Sequence, residues 1–225
     1  MLSAGLLAAA TDRWLSWDWI GRNTDLIYAS LREHVILTVL AVAIGLAVAL
    51  PLGVAAARWR RLYPPALGIT GVLYTIPSLA AFALLLPYTG FGRTTALIPL
   101  VSYTLLILLR NIVVGLDGVP PEIRDAADGM GYTRAHRLVR VELPLALPAI
   151  MAGVRIATVT TIGLAAVAGL LAIPSLGNLI YVGQTRPHNT AITVGIVLSI
   201  ALAVVADLVL GLTQRRLTPW ARAGR

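Results

Sequence analysis

Five predominantly apolar stretches, at 35–57, 66–88, 95–115, 156–173 and 190–212, alternate with polar connectors along the chain. About 20 apolar residues wound as an α-helix cross the roughly 30 Å hydrocarbon core of a bilayer. The pattern therefore predicts an all-α integral membrane protein of five spans. The connector at 118–144 is different in kind, because it is long, polar and helical in period. Pro121 suits the first turn of a helix, where its missing N–H costs nothing, and Glu122 and Asp125 place negative charge near the positive helix N-terminus. Ile123, Ala126, Ala127 and Met130 then fall at i, i+3, i+4 and i+7 and form one narrow apolar stripe. Gly129 and Gly131 can end this helix in backbone conformations that other residues resist. Thr133 can cap a second helix carrying Arg134, Arg137 and Arg140.

Within the spans, Pro51, Pro77 and Pro99 each remove a backbone hydrogen bond and predict kinks. Pro77 lies among Tyr74, Thr75 and Ser78, which could line a gated path; the alternative is that prolines and small residues there only shape helix packing. Ionisable groups within spans are costly and call for partners. Arg110 and Asp207 each stand about five residues before the end of a span on the same side, so the sequence predicts that they pair. Arg155 opens its span on this reading and can snorkel to the surface.

A composition of 58% hydrophobic and 12% charged residues, with mean hydropathy +0.83, excludes a single soluble domain. All 18 basic residues are arginine. The missing lysine excludes the phosphate-binding loop and Schiff-base chemistry, so the chain is not its own ATPase. Cysteine is absent as well, which removes disulfides, thiol nucleophiles and Cys-based metal sites. His34, His136 and His188 lack metal-ligand spacing and read as interfacial or loop residues. Ser78, Ser102 and Ser199 lie in spans without a histidine to activate them, which argues against an intramembrane hydrolase. No catalytic residue and no metal site is expected.

The net charge of +8 belongs to topology and anionic lipid here, not to nucleic acid. Eleven arginines fall on one side of the five spans, among them Arg58, Arg60, Arg61, Arg124, Arg215 and Arg216, and five on the other: Arg13, Arg22, Arg32, Arg93 and Arg186. The richer side, with the 118–144 loop and a basic tail at 213–225, is predicted to be cytoplasmic, which leaves the N-terminus outside. Residues 1–10 end in an alanine run like a cleavage site, yet lack a basic leader and read as uncleaved. Trp14, Trp17 and Trp19 favour headgroup depth, so 11–34 is expected to form an interfacial helix, within an outer segment 1–34, ahead of a transmembrane domain at 35–212.

The connector also carries a motif. Asp125-Ala126-Ala127, Gly131, Val141, Leu143 and Pro144 occupy the positions of the EAA loop of ABC-importer permeases, with Asp125 where that family usually has the longer Glu. Outside it, Thr75-Ile76-Pro77-Ser78, Leu109-Arg110-Asn111 and Ala152-Gly153-Val154-Arg155 resemble permeases of the osmoprotectant type. The likeness runs over 26–212, is strongest at 74–161, and weakens at Ile173-Pro174-Ser175-Leu176-Gly177, where those permeases tend to be glycine-rich. It implies a type I ABC-importer permease, half of a pore completed by a second copy or a related permease. An extracytoplasmic substrate-binding protein would deliver a quaternary amine such as glycine betaine, choline or carnitine. Two cytoplasmic ATPase subunits, using ATP and Mg, would drive alternating access through Ile123, Asp125, Ala126, Ala127, Met130, Gly131, Leu143 and Pro144. The resemblance adds Asn111 to Tyr74, Thr75, Pro77 and Ser78 as a candidate path residue. The aromatics near that path, Tyr74, Phe82, Tyr88, Phe91 and Tyr103, do not compose a complete cation cage, so cargo selection is expected in the capture protein. One alternative is a permease for another small nutrient such as an amino acid, since the loop does not encode the cargo; the other is a passive channel or a membrane scaffold, and neither of these two needs the 125–144 loop.

Overall fold

A computed structural model describes residues 14–186 and 188–222. The expectations for residues 1–13 and the last residues of the basic tail lie outside these. The described residues are helical and contain no strand. Ser16 opens the first helix, α1 (Trp17–Arg22), its Oγ accepting from the Trp19 N–H at 3.3 Å. Asn23 breaks the chain, and its side chain donates to the Trp19 carbonyl at 2.8 Å. The next helix, α2, is continuous over Thr24–Arg58. The anticipated interfacial helix at 11–34 is thus confined to α1, and residues 24–34 belong to the first span helix. At 35 residues and 1.5 Å per residue, α2 is about 50 Å long and projects beyond a bilayer core.

The second span is not one helix. α3 (Tyr63–Thr75) and α4 (Ser78–Thr89) meet at 88° across Ile76 and Pro77. Pro77 cannot donate to the preceding turn, and a residue before proline is pushed to extended backbone; Ile76 accordingly has φ −63° and ψ 125°. Pro51 and Pro99 instead sit inside unbroken helices, so of the three prolines only Pro77 breaks its helix.

α5 (Arg93–Asp117) runs parallel to α2. Arg93 pairs with Glu33 at one end, its Nη2 lying 2.7 Å from Glu33 Oε2, and Arg60 pairs with Asp117 at 2.7 Å at the other. The two helices approach closely where α2 has no side chain: a Cβ on Gly45 would lie 1.9 Å from Thr104 Oγ1, and one on Gly53 would lie 2.6 Å from Ile112 Cγ2. In a membrane, where burial adds no hydrophobic drive between helices, such close van der Waals contact is what holds them together.

After the polar connector comes α8 (Leu143–Ala168), so the fourth span begins 13 residues before the expected 156. It occupies the centre of the bundle. Toward one end Ala146, Ile150 and Ala157 pack with Val42, Leu108 and Ile112; toward the other Ala165 and Ala168 pack with Leu37, Phe82, Leu100 and Ile173. Phe82, fully enclosed, is a core residue and not a path aromatic. α9 (Leu176–Thr185) and α10 (Asn189–Leu217) complete the subunit, α10 burying only Thr190, Ala191 and Gly195.

His34 is no interfacial residue. It is fully buried in α2, where Nδ1 accepts from the Leu176 N–H at 3.3 Å and Nε2 lies 3.0 Å from the Ile162 carbonyl. Because Nδ1 accepts, Nε2 carries the proton and donates. Both nitrogens are spent on tying α2 to α8 and α9, which leaves none to serve as a base. The chain around Ile173-Pro174-Ser175 turns back into the bundle through Ala172 (φ 56°), with Ile173 and Ser175 buried.

Candidate functional site

The polar connector folds as a short lever. α6 (Pro121–Gly129) starts on Pro120, whose carbonyl accepts from the Ile123 and Arg124 N–H groups at 3.2 and 3.4 Å. It ends where Met130, the cap, is followed by Gly131 at φ 80°. There the Tyr132 N–H reaches the Ala127 carbonyl at 3.1 Å and the Gly131 N–H the Asp128 carbonyl at 2.9 Å, the paired bonds of a left-handed helix cap. Thr133 caps α7 (Arg134–Arg137), its side chain accepting from the His136 N–H at 3.3 Å. A π-helical turn, Leu138–Glu142, leads into α8 with Pro144 in its first turn. Arg140 falls in that turn and not in α7.

Side-chain contacts hold the lever at a fixed angle to the spans. Arg124 Nη2 donates to the Leu116 carbonyl at 2.6 Å. Arg137 bonds both Asp128 of α6 and Glu142, the latter at 2.7 Å. Leu138 and Leu143 pack against the core cluster of Ile112, Ala146 and Ile150. Leu143 is thus the root of the lever.

The predicted stripe divides. Ile123, Ala126 and Met130 point away from the subunit, Met130 with 67% of its surface exposed, and Asp125 is exposed beside them. Ala127 is 1% exposed and faces the subunit itself, so the outward set is Ile123, Ala126 and Met130. An exposed apolar strip on a polar helix is an unfinished contact.

The second candidate site is the break at Ile76–Pro77. Its free Ile76 carbonyl accepts from the Tyr103 hydroxyl at 2.7 Å, and the Tyr103 ring meets Tyr74 edge-on with centroids 5.8 Å apart. Tyr103 lies ten residues into α5, about 15 Å along a helix roughly 37 Å long. The break therefore sits near half-depth. Irregular backbone at that depth is tolerated only against protein or a water-lined cavity. Tyr74, Thr75, Pro77 and Ser78 gather here, but Asn111 does not. It lies eight residues farther along α5, about 12 Å away, and packs on Gly153, where a Cβ would come within 2.6 Å of Asn111 Cβ. The tie of Tyr103 to Ile76 was the residue role missing from the sequence reading, and the only signal for it was an aromatic hydroxyl in an apolar run.

The anticipated Arg110–Asp207 pair does not form. Asp207 is held by Arg155 through two parallel bonds, Nε to Oδ1 at 2.9 Å and Nη2 to Oδ2 at 2.8 Å. Gln214 accepts from Arg155 Nη1 at 3.4 Å and donates to the Pro148 carbonyl at 3.2 Å. Arg155 stands 12 residues into α8 and Asp207 ten from the end of the antiparallel α10, about 18 and 15 Å from the same face. The early start of α8 is what puts Arg155 at depth. Arg110 lies on an exposed stripe of α5 with Val114 and Asp117 and makes no ion pair among the described residues.

Comparison with known proteins identifies the family and supports the fold. The family described as the binding-protein-dependent transport system inner membrane component matches residues 49–219. The choline transport system permease protein OpuBB of Bacillus subtilis is 37% identical over 195 residues, covering 87% of this chain and 89% of that protein. The glycine betaine/carnitine/choline transport system permease protein OpuCB of the same organism is 36% identical with the same coverage. The osmoprotectant import permease protein OsmW of Salmonella typhimurium is 37% identical, covering 83% and 89%. Among solved structures, a chain of the MetNI methionine ABC transporter in an inward-facing conformation superposes with TM-score 0.80 at 22% identity, over 91% of this chain and all of that one. A chain of an amino acid ABC transporter does so with TM-score 0.71 at 20% identity, over 90% and 99%. Those two likenesses concern the fold alone.

Proposed function

Because the chain belongs to the family of inner membrane components of binding-protein-dependent transport systems, a multi-pass permease subunit of an ABC importer and not itself an ATPase, we propose that its cargo is an osmoprotectant: a quaternary amine such as glycine betaine, choline or carnitine. The observation that carries this is the identity of 35–37% to choline, carnitine and glycine betaine permeases over most of the chain. The methionine and amino acid transporters share the architecture at 20–22% identity, a level that says nothing about cargo.

In this reading a second permease completes the path and a substrate-binding protein delivers the amine on the face of Glu33 and Arg93. ATPase subunits binding ATP and Mg engage α6 on the other, cytoplasmic face. Ile123, Ala126 and Met130 enter the ATPase groove with Asp125 at its rim. Gly131 keeps the turn tight, while Ala127, Leu143 and Pro144 pass the movement to α8. The break at Ile76–Pro77 is the gate. Tyr74, Thr75 and Ser78 border it, and cargo preference resides mainly in the binding protein.

Proteoliposomes containing the permease, its ATPase and its binding protein test the assignment. ATP-dependent accumulation of labelled choline or glycine betaine, competed by carnitine, is the expected result. Accumulation of an amino acid with no uptake of any quaternary amine would overturn it.

A further inference from the structure

Between the lever and the ends of α2 and α5 lies a cavity of about 380 Å³. Arg58 and Arg60 line it from the span side, and Arg124, Arg134 and Arg137 from the lever side. Against these five guanidinium groups stand only two lining carboxylates, Asp117 and Glu142. Both are already bonded, Asp117 to Arg60 and Glu142 to Arg137, and Arg137 also takes Asp128 from outside the lining.

Two observations show that this charge is unmet from within. Arg58 and Arg134 make no ion pair among the described residues. The Nε of Arg124 is buried with no hydrogen-bond partner among the described residues, its Nη2 being spent on the Leu116 carbonyl. A buried N–H donor without an acceptor in its own chain is uncommon in folded proteins and calls for one from outside, a water, an ion or a ligand. Like charges face each other across the gap, Arg58 on α2 against Arg124 and Arg134 on the lever, with Arg58 and Arg134 exposed enough for solvent to screen part of their repulsion. The rest of the wall is apolar, Val54, Ala57, Leu116 and Leu138, which sets the cavity where the spans end.

We propose that this cavity binds a phosphate-bearing anion, which bridges the span arginines to the lever arginines. Guanidinium forks match phosphate oxygens two at a time, and Arg124 Nε supplies a donor already desolvated. The position suits an anionic lipid headgroup, since basic pockets at the membrane face take such groups; a free phosphate offers the same oxygens from solution. Either would neutralise the repulsion between Arg58 and the lever and stiffen its attachment. The proposal stands on the subunit's own geometry and is independent of the cargo.

Thermal unfolding of the purified full chain in neutral maltoside micelles tests it. Dihexanoyl phosphatidylglycerol, dihexanoyl phosphatidylcholine and inorganic phosphate are titrated separately, with sodium chloride at matched ionic strength as control. A saturable rise in Tm with phosphatidylglycerol, absent with phosphatidylcholine and with chloride, is expected. If phosphate reproduces the rise at comparable concentration, the ligand comes from solution; if it does not, the ligand is lipid. In Arg124→Gln and Arg58→Gln the half-saturating concentration should increase about ten-fold or more, as expected for loss of a charge-assisted hydrogen bond, whereas Arg186→Gln should leave it unchanged. Arg58 makes no ion pair among the described residues, so Arg58→Gln keeps the test decisive if Arg124→Gln does not fold. A Tm insensitive to both anions, or a rise undiminished in Arg58→Gln, overturns the proposal.

Discussion

The bond between Arg155 and Asp207 is where a single substitution most clearly separates two accounts of the charges at depth. The side chains are 35% and 40% exposed, so removing one leaves its partner facing lipid or a neighbouring subunit without a counter-charge. Asp207→Ala should therefore lower Tm more than the double change Asp207→Ala with Arg155→Leu, read as a non-additive double-mutant cycle in detergent. Adding Arg110→Leu to Asp207→Ala should give no such rescue. Additive losses for Arg155 and Asp207 would show that the pair holds nothing. Tyr103 has a subtler role. Tyr103→Phe keeps the ring against Tyr74 but removes the donor to the Ile76 carbonyl, a loss of about 0.5–1.5 kcal/mol for a neutral hydrogen bond. A modest fall in Tm with a larger fall in uptake rate is expected, since the bond holds the break. Uptake falling no further than Tm would make Tyr103 a packing residue only.

At the scale of one element, α6 has an inner and an outer face, and the faces should fail differently. Met130→Asp places charge on an exposed position; it should leave Tm within a degree or two and abolish co-purification of the ATPase. Ala127→Asp buries charge against the subunit and should destabilise the permease before any partner is added. Retention of the ATPase by Met130→Asp would remove the outward strip from the docking contact. The end of the helix offers a graded test. Gly131 has φ 80° and open space around it, so substitution there is a matter of backbone strain and not of clash. Asn tolerates the left-handed region, whereas a β-branched residue resists it by about 1–2 kcal/mol or more. Gly131→Asn should transport, and Gly131→Val should insert normally and lose transport; equal uptake by both would mean that the turn does not matter to coupling.

Across the whole molecule, the proposed orientation, with the lever end cytoplasmic, rests on the excess of arginine at that end. Arg93 and Glu33 mark one end, and the arginines around the lever mark the other. The absence of cysteine makes this simple to check. Phe91, 71% exposed, and Thr133 can each be changed to cysteine. An impermeant thiol reagent applied to intact cells should label Phe91→Cys and spare Thr133→Cys until the membrane is opened. Labelling of both from outside would overturn the orientation.

Much of this protein is local and so can be read along the chain. The apolar lengths that require helices, the proline start of α6, the glycine at its end and the Thr133 cap each depend on residues within a turn or two of one another, and all stand in the structure. Even the break at Pro77 was signalled by its proline. The 88° turn there was not, because that angle depends on what α3 and α4 pack against and on Tyr103 reaching Ile76 from another helix. Likewise, hydropathy sets how deep a residue lies but not which way its helix is rotated. The sequence pointed to Arg110 as the partner of Asp207 and to Arg155 as a snorkelling residue, and only the packing of α8 against α10, with α8 starting 13 residues earlier than its apolar run suggested, aimed Arg155 at the carboxylate. The rotations of other helices are equally non-local: that of α6 turns Ala127 inward, that of α5 sets Asn111 on Gly153, and that of α2 buries His34 against α8 and α9. Sequence determined the apolar elements and the ends set by local caps, as at Pro121, Gly131 and Thr133, since those energies are local; tertiary structure decided where the other helices start and which side chains meet, since these are settled by close packing across the bundle.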